Sequence, residues 1–283
     1  MLTVQNLSFA YPKAATVLNS IDLELKKGSI YGLFGKNGEG KSTLLKLMCG
    51  ALYPQRGQCV LDGEIMQNRK ASALQKLFFV PESFDLPALH LQQFEQIQSP
   101  FYPNFNHENF YAILKEFKVP QNGLLSKLSY GQKKKVLLAF GMAANTSVLL
   151  MDEPTNGLDI PSKTIFRKIL ASYLSEDTCA LIATHQVRDL HSLIDHILVL
   201  EQGQLIFDAS LLEVTDALWF GPKAQAKGAS PLYIESGFKG RGIYPRNTLP
   251  ESEVDLELLF NGLLTHPSQI TTLFKSKTAA YGV

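Results

Sequence analysis

The sequence predicts an α/β fold with a mixed sheet, and three patterns carry that prediction. Short, nearly continuous apolar runs at Ile30 to Phe34, Val148 to Met151 and Cys179 to Thr184 read as parallel strands buried between helix layers. Helical segments separate them: Lys41 to Cys49 closing at Gly50, Gln132 to Ala144, Ser162 to Leu174 after Pro161, and Gln186 to Ile194. Ile21, Leu23 and Leu25 alternate with Asp22 and Glu24, which adds an antiparallel strand with one wet face near the N-terminus. Strand and helix in alternation indicate the α/β class.

Between Pro87 and Lys127 the chain is rich in Phe, Gln and Leu, and Phe110, Ile113, Leu114 and Phe117 recur at helical spacing. A small helical insertion is expected there, over about residues 86–128. Near Gln202 and Gly203 a turn joins two apolar strands, and glycine-rich sequence from Gly221 to Gly242 marks a change of character. We therefore expect a first domain over 1–210 and a C-terminal extension over 211–283. The extension's one expected regular element is an amphipathic helix from Ser252 to Leu264, with Leu256, Leu259, Phe260 and Leu263 as its stripe and Ser252 followed by Asp255 as its cap.

With 283 residues, 45% of them hydrophobic, the chain can bury one sizeable core or a core with an appendage. Its net charge of +1 supplies no field to draw it onto a polyanion, so no nucleic-acid partner is expected. The most apolar stretch, Val136 to Met151, is interrupted by Asn145, Thr146 and Ser147 and falls short of the roughly 20 residues of a spanning helix. The N-terminus shows neither the basic region nor the apolar core of a signal peptide, so a cytoplasmic location is expected. Cys49, Cys59 and Cys179 are odd in number and far apart, which fits reduced, structural thiols and no metal spacing.

Gly35-Lys36-Asn37-Gly38-Glu39-Gly40-Lys41-Ser42 satisfies the phosphate-loop pattern G-x-x-x-x-G-K-[ST], directly after a buried strand and directly before a helix. Gly35, Asn37, Gly38 and Gly40 let backbone N–H groups turn toward the phosphates of ATP, and the helix start at Lys41, Ser42 and Thr43 adds a positive dipole end. Lys41 is expected to neutralise the β/γ oxygens and Ser42 to ligate Mg²⁺. The fold is thus read as a P-loop NTPase core with a mixed sheet, an antiparallel β part, a helical insertion and a short tail. The buried strand ending at Met151 is followed by Asp152 and Glu153, expected to hold Mg²⁺ and to polarise the attacking water respectively. Neighbouring strand residues face opposite ways, which suits two roles.

Leu128-Ser129-Tyr130-Gly131-Gln132, about twenty residues before that acidic strand, resembles the signature motif of the ABC ATPases. Pro154-Thr155-Asn156-Gly157-Leu158-Asp159 resembles their D-loop, Thr184-His185 their switch histidine, and Tyr11 the aromatic that stacks on adenine. The likeness spans roughly residues 1 to 207. It implies a catalytic role for His185 and a second cassette, identical or not, facing this one head to tail. Ser129, Gly131, Gln132 and Asp159 of one cassette would then complete the nucleotide site of the other. It further implies a separately encoded integral membrane permease, of export type by the compactness of the cassette, with this chain peripheral on the inner face.

Three departures stand out. Tyr130 occupies the place of a signature glycine and is expected to weaken docking there. Lys133, Lys134 and Lys135 are expected in the first helical turn, either as a solvated charge run or offsetting triphosphate charge. Glu82, in Phe79-Val80-Pro81-Glu82, stands where the family has a glutamine and is expected to face the nucleotide and ligate Mg²⁺ directly or through water. Beside a transporter ATPase, two other readings stay open: a soluble ABC ATPase acting on ribosomes or DNA, and a degenerate regulatory cassette paired with an active one.

Overall fold

The computed structural model describes residues 1–13, 15–187, 193–226, 228–235, 240–247 and 249–274. The chain opens with β1 (Leu2–Ala10), β2 (Thr16–Leu25), β3 (Ile30–Phe34), α1 (Lys41–Met48), β4 (Arg56–Leu61), β5 (Glu64–Ile65), α2 (Ala71–Leu74) and β6 (Leu77–Val80). The stretch over 86–128 holds α3 (Leu91–Gln98) and α4 (His107–Glu116). Next come α5 (Tyr130–Ala143), β7 (Val148–Asp152), α6 (Ile160–Tyr173), β8 (Cys179–Thr184), β9 (His196–Glu201) and β10 (Gln204–Ser210). The helix expected from Gln186 to Ile194 runs through residues 188–192, which lie outside the described residues.

Two sheets form the body. β2-β1-β4-β5 is antiparallel throughout, and β10-β9-β3-β8-β7-β6 is parallel except for the β9–β10 pair. The turn between β9 and β10 puts Gln202 and Gly203 at φ 48° and 73°, the left-handed pair whose twist suits a two-residue hairpin. In the six-stranded sheet the side chains alternate between two cores. Tyr31, Leu33, Val148, Leu150 and Leu181 face α1 and the antiparallel sheet, while Phe34, Leu149, Met151 and Ile182 face α5, α6 and the insertion. Burial on both faces explains why these strands read as continuous apolar runs.

The C-terminal extension is more structured than its sequence suggests. It forms α7 (Leu211–Ala217), a three-stranded antiparallel sheet β11-β13-β12 from β11 (Leu218–Pro222), β12 (Tyr233–Ile234) and β13 (Arg241–Pro245), then α8 (Leu256–Thr265) and α9 (Pro267–Thr271). The expectation of a single helix was therefore incomplete. Gly221 and Gly242 are paired across β11 and β13, and a Cβ on Gly221 would lie 2.4 Å from the Trp219 ring. Aromatic rings cover the glycines and take the place of their missing side chains. The long helix starts later than expected: Asp255 caps α8 by accepting from Leu258 N at 3.0 Å, and Ser252 instead accepts from Phe220 N at 2.9 Å.

Leu256, Leu259 and Leu263 of that helix are buried with Phe34 and Val187 in one cluster, and Phe260 lies half-buried with its ring 6.5 Å from Phe34. Leu263 is fully buried. Leu263→Ala should therefore destabilise the protein by about 2 to 5 kcal/mol, read as a fall in Tm. An unchanged Tm would show that α8 does not support the core.

Candidate nucleotide site

The parallel register brings the chemistry to one edge of the sheet. Phe34 pairs with Thr184, Asp152 with Ala183 and Val80 with Met151, so the segments after β3, β6, β7 and β8 all emerge together. Ligands bind outside the carboxyl ends of such strands. A cleft of about 370 Å³ lies there, and it collects Tyr11, Asn37, Gly38, Gly40, Lys41, Ser42, Thr43, Glu82, Glu153 and His185.

Residues 35–40 form a tight loop whose last residue, Gly40, is the N-cap of α1 at φ 103°. A Cβ there would lie 2.8 Å from the Leu18 side chain, so a larger residue meets both strain and collision. The first α-helical bond of α1 is Leu44 N to Gly40 O at 2.8 Å, which leaves the N–H groups of Lys41, Ser42 and Thr43 upstream of it. They and the dipole favour an anion. The Lys41 ammonium, 6% exposed, donates to Gly35 O at 2.6 Å and Lys36 O at 3.0 Å. Burial lowers its pKa, and Glu153, Asp152, Glu39 and Glu82 oppose that shift. Gly35 thus serves through its carbonyl and does not line the cleft. Tyr11 is partly exposed, edge-on to Phe9 at 4.9 Å, and its hydroxyl shares a 3.2 Å hydrogen bond with Thr43 Oγ1.

Asp152 is buried beneath this loop. Its carboxylate is hydrogen-bonded by the Ser42 side chain, while Oδ1 has no protein partner. Burial raises its pKa, Glu82 and Glu153 add to the rise, and Ser42 and Lys134 oppose it. A partnerless buried carboxylate oxygen beside a hydroxyl fits a hard cation such as Mg²⁺, which takes one or two protein oxygens and completes its shell with phosphate and water. Among the described residues no group of three or more His, Cys, Asp or Glu suited to a metal occurs.

Glu153 departs from the expected geometry. It stands beyond the end of β7 with φ 44°, so left-handed backbone, and not strand alternation, turns it away from Asp152. Its Oε1 accepts from His185 N at 2.9 Å and lies 2.7 Å from His185 Nδ1, and its Oε2 accepts from Thr184 Oγ1 at 2.8 Å. A carboxylate offers about four acceptor positions, so one remains for a water. Glu82 lines the cleft while open to solvent; its Oε1 accepts from Asn156 Nδ2 at 3.1 Å. Asn156 Oδ1 accepts from Gln186 Nε2 at 2.9 Å, and Gln186 Oε1 from Lys163 Nζ at 2.9 Å. One hydrogen-bonded chain thus joins the segments after β6, β7 and β8.

Ser129, Gly131, Gln132 and Asp159 are not brought to this cleft. Ser129 caps α5 by accepting from Gln132 N at 3.3 Å, and Gln132 Oε1 accepts from Ser129 N at 3.0 Å, a reciprocal capping box. Asp159 caps α6 by accepting from Ser162 N at 3.1 Å, and Ser162 holds its carboxyl below the usual range. Tyr130 sits at the first position of α5 with its hydroxyl donating to Glu82 O at 2.5 Å and its ring against Phe84 and Gly157. The three lysines need correction: α5 starts at Tyr130, which moves them to the second turn, and Lys134 is completely buried. Its phase matches buried Leu138 four residues on, a signal that the run of like charges obscured. Val17, which also lines the cleft, carried no signal.

A family profile described as ABC transporter matches residues 18–156. The chain is 29% identical over 192 residues to the ABC transporter ATP-binding protein YtrB of Bacillus subtilis, covering 67% of this chain and 65% of that one. It is 31% identical over 200 residues to the Nod factor export ATP-binding protein I of Burkholderia orbicola, covering 69% and 66%. It thus spans just under two thirds of each relative. A dimeric bacterial ABC transporter cassette superposes with a TM-score of 0.65 at 23% identity, over 75% of this chain and 99% of that one. Profile, relatives, fold and the phosphate-loop edge agree: this chain belongs to the ABC transporter ATP-binding family.

Proposed function

We propose that the chain hydrolyses Mg²⁺-bound ATP as one of two head-to-tail cassettes that energise a separately encoded membrane permease of export type. The observation that carries this is the meeting, at one sheet edge, of the Lys41 loop, the partnerless Asp152 oxygen and the Glu153–His185 pair. Ser42 and Asp152 would hold Mg²⁺, which when bound neutralises phosphate oxygens. Lys41 meets the β/γ oxygens, and Glu153, oriented by Thr184 and His185, accepts a proton from the attacking water. Ser129, Gly131, Gln132 and Asp159 lie away from their own cleft, as a site completed by a second cassette requires; a related cassette is a dimer. Export is supported by relatives named for Nod factor export and lantibiotic transport. Among the described residues no helix is long and apolar enough to cross a membrane, which suits a peripheral subunit on the cytoplasmic face. The intact Glu153–His185 pair speaks against the degenerate-cassette reading. Affinity purification from solubilised membranes should recover an integral membrane protein, and a ribosomal or DNA-bound companion instead would sink the transport reading.

Glu82 belongs to this proposal as a residue that ties metal occupancy to the cleft. Its carboxylate only accepts, and near a γ-phosphate it is repelled without Mg²⁺ and drawn in with it. Glu82→Gln should leave hydrolysis largely intact and lower the Mg²⁺ dependence of ATP binding about tenfold, roughly 1.4 kcal/mol. Superimposable Mg²⁺ titrations for the two proteins would make Glu82 a surface residue only.

A further inference from the structure

Lys134 is the one lysine of the signature helix with no access to solvent. Its ammonium donates to Pro81 O at 3.0 Å, at the end of β6, and to Asp152 O at 3.4 Å, at the end of β7, and it lies 5.4 Å from the centre of the Phe84 ring. Lys133 next to it pairs instead with the exposed Asp85 at 2.6 Å, so the course of Lys134 toward the strand ends is its own. Three carboxylates, Asp152, Glu82 and Glu153, act electrostatically on it, and burial lowers its pKa to about 8 against their pull. An ammonium buried this completely is expensive unless it is paired and hydrogen-bonded. Aliphatic residues of similar volume would satisfy packing alone, so the charge calls for a reason beyond filling space.

We propose that Lys134 is a positioning residue for phosphoryl transfer, a resident counter-cation that ties the strand ends bearing Glu82 and Asp152 together and offsets their charge before a divalent cation binds. The inference rests on the Mg²⁺ reading given above. With Lys134 present, ATP meets a less negative cleft, and the cation gains less on entering. Without it, the carboxylates repel metal-free ATP more strongly and attract Mg²⁺ more strongly.

Two measurements on the full chain test this: ATP affinity in EDTA, and the Mg²⁺ midpoint for ATP binding. Lys134→Met keeps the volume and removes the charge. It should weaken metal-free ATP binding about fivefold and lower the Mg²⁺ midpoint about fivefold. Lys134→Gln keeps an N–H donor without the charge and should move both values the same way, whereas Lys134→Arg should restore both toward wild type. A purely structural lysine would shift Tm and leave these values alone. Folded Lys134→Met or Lys134→Gln with both values unchanged would overturn the proposal, and Lys134→Gln is the decisive variant should the Met protein not fold. If wild-type ATP binding proves indifferent to Mg²⁺, the metal reading fails while the EDTA measurement still decides whether Lys134 offsets the carboxylates.

Discussion

Lys41→Ala is expected to weaken ATP binding by about 100-fold or more, roughly 3 kcal/mol or above, measured by calorimetry. Two losses combine. The Lys41 ammonium is the cation inside the loop, clamped on Gly35 O and Lys36 O, and alanine leaves those carbonyls without their donor. It also leaves Glu153, Asp152, Glu39 and Glu82 facing a triphosphate without the basic side chain that lines the cleft. Lys36 does not substitute, since its side chain lies outside the cleft lining. Circular dichroism and Tm serve as the folding control, and an unchanged Kd in a folded variant would remove Lys41 from the site.

Glu153→Gln should retain ATP affinity to within about threefold and reduce turnover by about 10² to 10⁴. The amide oxygen can still accept from His185 N, and its NH₂ can donate to Thr184 Oγ1, so the local geometry survives. What is lost is the proton acceptor for the attacking water. With release blocked, an ATP-held dimer should appear by size-exclusion chromatography. A variant that hydrolyses at the wild-type rate and stays monomeric would reject both the role of Glu153 and the paired assembly.

Much of the frame was legible because its signals are local. The phosphate loop needs glycines, a lysine and a hydroxyl within eight residues, between a strand and a helix, and the structure keeps that order. β3, β7 and β8 announced themselves as continuous apolar runs because both of their faces are buried. The extension was read poorly for the opposite reason. Glycine-rich sequence between Gly221 and Gly242 looks like turns, yet Gly221 and Gly242 themselves are paired across two strands, under Trp219 and Tyr244 respectively, and a ring that folds over its neighbour leaves no period in the sequence.

The sequence by itself determined the family, the phosphate loop, the acidic strand end and the alternation of strand and helix, since each depends on residues close together in the chain. Tertiary structure alone decided that Lys134 points inward, because burial depends on what packs over a helix face, and here that is the ends of β6 and β7. It decided that Glu153 leaves its strand in a left-handed turn to meet Thr184 and His185, a contact across 31 and 32 residues of chain. It also linked Glu82 to Asn156 and Asn156 to Gln186, 74 and 30 residues apart. Such links form only when parallel strands bring their ends to one edge, and no local propensity encodes which ends will meet there.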